Sequence, residues 1–490
     1  MKSSETSLNQ ESIQEFSKEG KSESLENEQQ DHKLERATML HVDLRILPLL
    51  AAVYSFALID RINLGAAHTA GMGVDLQLNV GARFNIATTL YFPTYMIFQL
   101  PGNILLHKIG IRNWITFAVI AWGAVAFGMG FVHSWQQLTV TRVFLGAFEA
   151  CYFPAMVLLI STWQVPRIFV FFFRYKRHEV QKRLAAFYLI SITASGLSPI
   201  LAWALSLLDG KRNIAGWRWI FIVEGAATLL LGILCWFWIV DFPHQNKFLA
   251  PEQTAFILKR IDEDRGDAVP DELTAAKLRK YLCDWKLWAY GIMFVCTTLP
   301  AYAQAYFISI ILKGMGWDST RSLLLSAPPY GPPILTCMLF SWLSDKYKHR
   351  SSFIYVQGLM CLVGLVLTAF GGKHSVRYFG TFLTNAGNVG TIPGILAWSS
   401  NNVVSHSKRT VQSAMTVMLG GIGGILATAT FRAQDAPRYL PGLAVSIGSQ
   451  VLLLIIATIV LVYNWRMNKL SREGKLAGPI EGQPGFFYTL

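Results

Sequence analysis

Twelve stretches of this chain are long and apolar enough to cross a lipid bilayer, and no other feature constrains its fold as much. About 20 largely apolar residues are needed to span a hydrocarbon layer of roughly 30 Å. The runs lie near residues 44–60, 84–106, 114–132, 138–162, 184–208, 219–241, 286–312, 321–343, 352–371, 377–399, 411–431 and 440–464. Backbone polar groups in hydrocarbon must be paired internally, so these runs are expected to be helices. A chain of 490 residues that is 52% hydrophobic and 15% charged is too apolar for an ordinary soluble multidomain protein. The expected fold class is an all-α polytopic membrane protein with twelve transmembrane helices.

The polar segments divide the runs. Residues 1–43 are rich in Ser, Glu, Gln and Lys and lack an apolar core or cleavage site, so they read as a disordered cytoplasmic N-terminal tail and not a signal peptide. Residues 44–241 then form a first six-helix bundle, 242–285 a central cytoplasmic loop, 286–464 a second bundle and 465–490 a cytoplasmic C-terminal tail. In the central loop Phe256, Ile257, Ile261, Leu273, Leu278 and Leu282 fall at helical spacing, which predicts amphipathic helices on the inner membrane surface. An even number of spans puts both termini on one side, and the distribution of Lys and Arg assigns that side to the cytoplasm. The loop carrying Arg167, Arg174, Lys176, Arg177, Lys182 and Arg183 contributes most to this assignment. Six spans plus six, separated by a long inside loop, is the layout of two bundles related by an axis along the membrane normal, the major facilitator architecture.

Other classes are disfavoured by composition. The net charge of +13 is scattered among loops with no aromatic-basic module, so no nucleic-acid partner is expected. Six Cys and ten His are dispersed without CxxC, HExxH or similar spacing, which indicates neither a disulfide framework nor a metal site. No nucleophile constellation points to an enzyme.

The stretch TRVFLGAFEACYF, inside the fourth run, places Arg142, Gly146 and Glu149 on one helical face, the two charges ~10.5 Å apart at 1.5 Å per residue. That is too far for a tight ion pair. Each charge costs ~2.5–3.5 kcal/mol at a helix centre on translocon scales, so each must meet another helix, a water-filled cavity or a substrate. Arg142, about a turn from the outer end, has the alternative of snorkelling. Glu149 lies near mid-membrane, and a carboxylate in a poorly hydrated cavity loads and releases a proton near neutral pH. Glu149 is therefore the expected proton-coupling residue, with Arg142 holding an organic anion through its fixed fork of donors.

The remaining span charges are Asp60 and Arg61, expected at the outer end of the first span as an interfacial ion pair or a transport element, and Glu224, expected in an interfacial network with Arg218. The second half offers neutral groups, with Gln304, Asn385 and Asn388 as candidate substrate ligands and Trp398, Asn401 and Asn402 near the end of the tenth run. Breakers suggest moving parts: SAPPYGPPI in the eighth span carries Pro328, Pro329, Pro332 and Pro333, and MLGGIGGI in the eleventh carries four glycines for close packing or bending.

The segments IDRINLGAA (59–67), RVFLGAFEACYFPA (142–155), GWRWIFIVEG (216–225), WSSNNVVSHSKR (398–409) and FRAQDAPRYLPG (431–442) make the chain resemble the fungal allantoate permease family, in the anion:cation symporter class of the major facilitator superfamily. The resemblance marks Arg142 and Glu149, then Asp60, Arg61 and Asn63, then Trp398, Asn401 and Asn402. The superfamily's loop pattern between the second and third spans of each half is eroded: NILLHKIGIR keeps Gly110 and Arg112 but has His107 at the acidic position, and SWLSDKYKHR keeps Asp345, Lys346 and Arg350 without the glycine. Near Gly420 the family's usual Asn is absent. Between Trp163 and Tyr175 the stretch Gln164 to Arg174 intervenes, either an interfacial anchor or untranslated sequence carried into the gene model.

What the resemblance implies is a secondary active transporter that takes up a small organic anion of the nicotinate, pantothenate or allantoate class with a proton, by alternating access. The expectations that accompany it are a monomer in the fungal plasma membrane, with the lipid bilayer as its surroundings and a proton as coupling ion in place of any cofactor. Export of an acidic secondary metabolite and a nutrient sensor on a transporter frame remain alternatives.

Overall fold

The computed structural model describes residues 44–45, 47–152, 155–156, 159, 178–239, 254, 274–347, 349–476, 478–483 and 485–490, and among these every regular element is helical. The tail 1–43, the stretch Gln164 to Arg174, and Phe256, Ile257, Ile261 and Leu273 of the central loop lie outside the described residues.

The first half contains α1 (Leu47–Asp75), α2 (Arg83–Thr89), α3 (Tyr91–Ile109), α4 (Ile111–Met129), α5 (Trp135–Glu149), α6 (His178–Ser206) and α7 (Gly216–Trp238). A short α8 (Ala275–Leu282), whose first turn is capped by the Thr274 hydroxyl, leads into the second half. There follow α9 (Trp285–Gly314), α10 (Ser319–Ser326), α11 (Gly331–Tyr347), α12 (Arg350–Phe370), α13 (His374–Asn401), α14 (His406–Thr430) and α15 (Leu440–Arg472). Each apolar run coincides in whole or part with one helix or two consecutive ones. Among the described residues nine helical stretches have the length and hydropathy of a membrane crossing. The other three runs map to α2–α3, α5 and α13, which carry many of the buried polar side chains.

The first span is longer than the apolar run that announces it. The expectation that Asp60 and Arg61 sit at its outer end is corrected: α1 continues through a π-helical turn at His68–Met72 to Asp75, so both residues lie at its middle. The run is interrupted there because these side chains face the protein interior, where a hydropathy count cannot distinguish them from a loop. The last span likewise continues past 464 to Arg472.

Close packing follows small residues. A Cβ on Gly65 would overlap the backbone carbonyl of Tyr306, so α1 and α9 cross at backbone contact. On α14, Gly420 and Gly423 face Phe294 and Thr298 of α9, while Gly421 and Gly424 face Met96 and Phe92 of α3. Those glycines therefore let one helix lie against both halves. The prolines of the eighth run split it into α10, a 3₁₀ turn at Pro328–Tyr330 and α11, and Tyr330 packs on Gly196 of α6. Contacts between the halves thus run along three seams: α1 with α9, α2 and α3 with α14, and α6 with α10 and α11.

Pro300 interrupts α9, and two later helices repair the break. Lacking an N–H, Pro300 leaves the carbonyl four residues back, that of Cys296, without its helical donor. Gln450 Nε2 donates to it at 2.7 Å and Ser449 Oγ at 3.2 Å, both from α15. The Asn388 amide of α13 lies 2.8 Å from both the Thr297 carbonyl and the Ala301 N–H, and with its nitrogen assigned to the carbonyl side it bridges this next pair.

Candidate functional site

The sequence Ile59-Asp60-Arg61-Ile62-Asn63 sends three polar side chains from one turn of α1 in different directions, all of them buried. Asp60 accepts from the Trp122 indole N–H of α4 at 2.6 Å. Asn63 donates to Glu224 of α7 and accepts from the Ser198 hydroxyl of α6 at 2.7 Å. Arg61 turns toward the seam between the halves, where it pairs with Glu149 of α5 and donates to Tyr91 Oη of α3 at 3.0 Å and Tyr302 Oη of α9 at 3.3 Å.

Arg142, seven residues before Glu149 on α5, is fully buried. Its Nη2 donates to Tyr306 Oη of α9 at 3.2 Å, and its guanidinium lies 5.2 Å from the Tyr91 ring centroid and 5.9 Å from that of Tyr306. Arg61 lies 5.6 Å from the same Tyr91 ring and 5.7 Å from those of Tyr95 and Tyr302. Tyr91 is therefore shared between two guanidiniums, each gaining attraction from the ring face. Arg142 and Glu149 do not pair with each other, as their spacing required, and each finds partners on other helices. Glu149 faces the interior and not the outer surface, being 2% exposed.

Several buried polar atoms have no hydrogen-bond partner: in this cluster Arg61 Nε, Arg142 Nε and Nη1, Glu149 Oε2 and Glu224 Oε1, and in the second half Gln304 Oε1 and Asn385 Nδ2. A buried group left unpaired costs about 1–3 kcal/mol, more when charged. The site also holds three buried carboxyl groups, Asp60, Glu149 and Glu224, against two guanidiniums. Full ionisation would leave a net negative charge in a poorly solvated interior.

The other candidates fall elsewhere. Gln304 and Asn385 are buried in α9 and α13, whereas the Asn388 amide is taken up by the backbone of α9. The expected network of Arg218 with Glu224 is corrected. Arg218 donates to the Gly130 carbonyl at 2.9 Å and stacks on Trp217 at 4.5 Å, while Glu224, six residues on and so on another face of α7, meets Asn63. Trp398 and Asn402 bond to Thr489, far along the chain from the α1–α5 cluster, and Asn401 is exposed. Lys346 lies over the Trp342 ring at 4.8 Å, and Arg350 donates to Ser344 Oγ at 3.3 Å. The Asp345 side chain lies outside the described residues. Among the described residues no cluster of three or more His, Cys, Asp or Glu offers a metal site.

Sequence reasoning missed the tyrosines. Tyr91 and Tyr95 in YFPTY, and Tyr302 and Tyr306 in AYAQAYF, recur at i, i+4, the spacing that puts two hydroxyls on one helical face. Trp122 and Ser198 carried no comparable signal.

Known transporters resemble this chain over most of its length. The chain is 28% identical to the MFS-type transporter cnsO of Penicillium expansum, over 90% of this chain and 84% of that protein. It is 30% identical to the major facilitator-type transporter hxnP of Emericella nidulans, over 84% of this chain and 82% of that one. Its identity to the high-affinity nicotinic acid transporter of Saccharomyces cerevisiae is 26%, over 92% and 82%. Among solved structures, a bacterial homologue of the human lysosomal transporter Spinster, in an inward-facing and unoccupied conformation, superposes with a TM-score of 0.64 at 15% identity, covering 85% of this chain and 95% of that one. The xylose transporter XylE from E. coli, in a partially occluded inward-open conformation, gives 0.61 at 11% identity, covering 83% and 97%. The family model for the Major Facilitator Superfamily matches residues 50–428, and the chain belongs to that superfamily of multi-pass membrane transporters.

Proposed function

We propose that this transporter moves a small organic anion together with a proton, with Arg142 as the anion ligand and the Arg61–Glu149 pair as the coupling element. The observation that carries this reading is the unequal treatment of the two guanidiniums. Arg61 commits both Nη atoms, to Glu149 and two tyrosines, and leaves only Nε unpartnered, whereas Arg142, fully buried, leaves Nε and Nη1 without partners. A carboxylate oxygen that accepts from one of these N–H groups gains a charge-assisted hydrogen bond without displacing an existing partner. Bringing it in adds negative charge to a site already richer in acids than in cations, and protonation of Glu149 offsets that charge while freeing Arg61. Substrate binding and proton uptake are thereby linked in one cluster.

The seam location supports alternating access, because Arg61 and Arg142 reach across to Tyr302 and Tyr306 of the second half. Hydrogen bonds between the halves continue from there toward the ends of α1 and α14: Thr69 with Ser309, Asn85 with the Thr428 and Phe431 carbonyls, and Thr89 with Thr428. With both termini in the cytoplasm these contacts close the outer end. We assign the protein to the fungal plasma membrane, acting as a monomer on carboxylates of the nicotinate class, an assignment supported by the nicotinic acid transporter among its relatives.

Purified protein in liposomes with an imposed pH gradient tests this. Radiolabelled nicotinate and a panel of small carboxylates serve as probes, and at least one should accumulate in response to the gradient. Glu149→Gln should bind the anion without pH-driven accumulation. Accumulation that still follows the gradient in Glu149→Gln would remove that residue from coupling.

A further inference from the structure

Beyond α15 the chain turns back and seats residues 478–483 and 485–490 on the face of the second half where α9 begins and α13 ends. The seat is built at the level of the backbone. Asn468 of α15 accepts from the Tyr488 N–H and donates to the Tyr488 carbonyl, both at 2.8 Å. Asn402, at the end of α13, accepts from the Thr489 N–H at 2.7 Å and donates to the Thr489 carbonyl at 3.3 Å, and Trp398 Nε1 donates to that carbonyl at 2.9 Å. The Leu490 carbonyl accepts from the first N–H of α12, that of Arg350, at 2.7 Å.

Charge adds a second anchor. Glu481 bridges Lys286 of α9 at 2.5 Å and Lys408 of α14 at 2.8 Å, and Lys408 also reaches Asp284 at 2.8 Å. Tyr488 Oη completes the group, accepting from Lys286 at 2.8 Å and donating to Glu481 at 3.0 Å. Ile480 and Tyr488 are buried. Five helix ends are thus tied by one short segment. Among the described residues its hydrogen bonds and ion pairs stay within the segment or go to the second half.

We propose that residues 478–483 and 485–490 are a permanent clasp that fastens the ends of α9, α12, α13, α14 and α15, so that the second half moves as one body while the seams with the first half open and close. Pinning the ends of α9 and α14, which form two of the three seams, keeps their relative tilt fixed when their contacts to α1 and α3 are exchanged. On this account Trp398 and Asn402 are the receptor for the segment.

Hydrogen–deuterium exchange of the full chain in lipid nanodiscs tests the clasp without any substrate, so the result is independent of the anion and proton reading. Thr489→Pro removes the N–H that Asn402 receives and alters only the segment. It should speed exchange at residues 398–409 and 285–290 about tenfold while leaving residues 58–66 of α1 unchanged, as expected for local opening. Asn402→Ala should speed exchange at 398–409 at least as much, since it also removes the 2.9 Å hydrogen bond to Tyr290 Oη, and adding Thr489→Pro to it should change little further at 398–409, because the Asn402–Thr489 interaction is already gone. Unchanged exchange at 398–409 in both single variants would overturn the proposal. Faster exchange spread equally over both halves would also overturn it, since that is global loosening and not a clasp.

Discussion

Arg61 on α1 and Glu149 on α5, 88 residues apart in sequence, form a buried ion pair at the seam between the halves, roofed by the hydroxyls of Tyr91 and Tyr302. The side chains are 10% and 2% exposed, so neither has solvent to replace its partner. Removing one member of such a pair typically costs about 3–5 kcal/mol, whereas replacing both by apolar groups of similar volume is near neutral. Arg61→Met should therefore lower thermal stability sharply in detergent, and Arg61→Met/Glu149→Leu should recover most of the loss while being inactive in transport. An Arg61→Met protein as stable as the parent would mean that the pair is not formed.

Arg142→Lys keeps the charge but replaces a planar fork by a point donor. The two N–H groups assigned to the anion cannot both be reproduced, and the stacking on Tyr91 is lost. Anion affinity should fall about tenfold or more, roughly 1.4 kcal/mol. Saturation of carboxylate uptake in liposomes measures this, and equal half-saturation in the two proteins would remove Arg142 from the binding site.

The repair at Pro300 makes a stability prediction independent of transport. Gln450→Leu with Ser449→Ala leaves the Cys296 carbonyl buried and unpaired, which should cost about 1–3 kcal/mol. Either single change should cost less, since the other donor remains at 2.7 or 3.2 Å. Thermal unfolding of the three variants provides the comparison.

Gly65→Ala places a methyl against the Tyr306 carbonyl, which is backbone and cannot swing aside. This contact exists only while α1 and α9 touch, so the substitution disfavours the arrangement described here. Spin labels near the ends of α1 and α9 should report a shift toward wider separation across that seam. An unaltered distance distribution would show that the helices absorb the methyl without parting.

The clasp should withstand acid. The Lys286 and Lys408 ammonium groups outweigh the cost of burial at Glu481 and hold its carboxyl down, from the usual 4.5 to about 2. A depressed folded-state value means that the stabilisation is fully present above about 4.5 and is lost as pH falls toward 2. Exchange at residues 398–409, corrected for the intrinsic pH dependence of the chemistry, should thus be flat from pH 8 to 5. A rise in that interval would show that another group controls the segment.

The membrane class, the twelve runs and the isolation of Arg142 from Glu149 were legible because each rests on local properties: run length, composition and helical spacing. The eleventh-span glycines and eighth-span prolines were legible as packing or breaking points for the same reason. The length of α1 was not, because a hydropathy window counts Asp60, Arg61 and Asn63 as polar without knowing that they face inward. Nor was the choice of partners. Arg218 stands closer than Asn63 to Glu224 along the chain, yet helix rotation turns it onto another face, and only packing of α1 against α7 supplies the amide.

The sequence by itself determined that the chain is a bundle of membrane helices with costly charges on α1, α5 and α7, since transfer energies and periodicity are properties of each segment alone. Only the tertiary structure decided that Arg61 answers Glu149, that Arg142 meets Tyr306 from the other half, and that Thr489 returns to the end of α13. Those pairings join residues tens to hundreds of positions apart, and which of them form is set by how helices cross and rotate against one another.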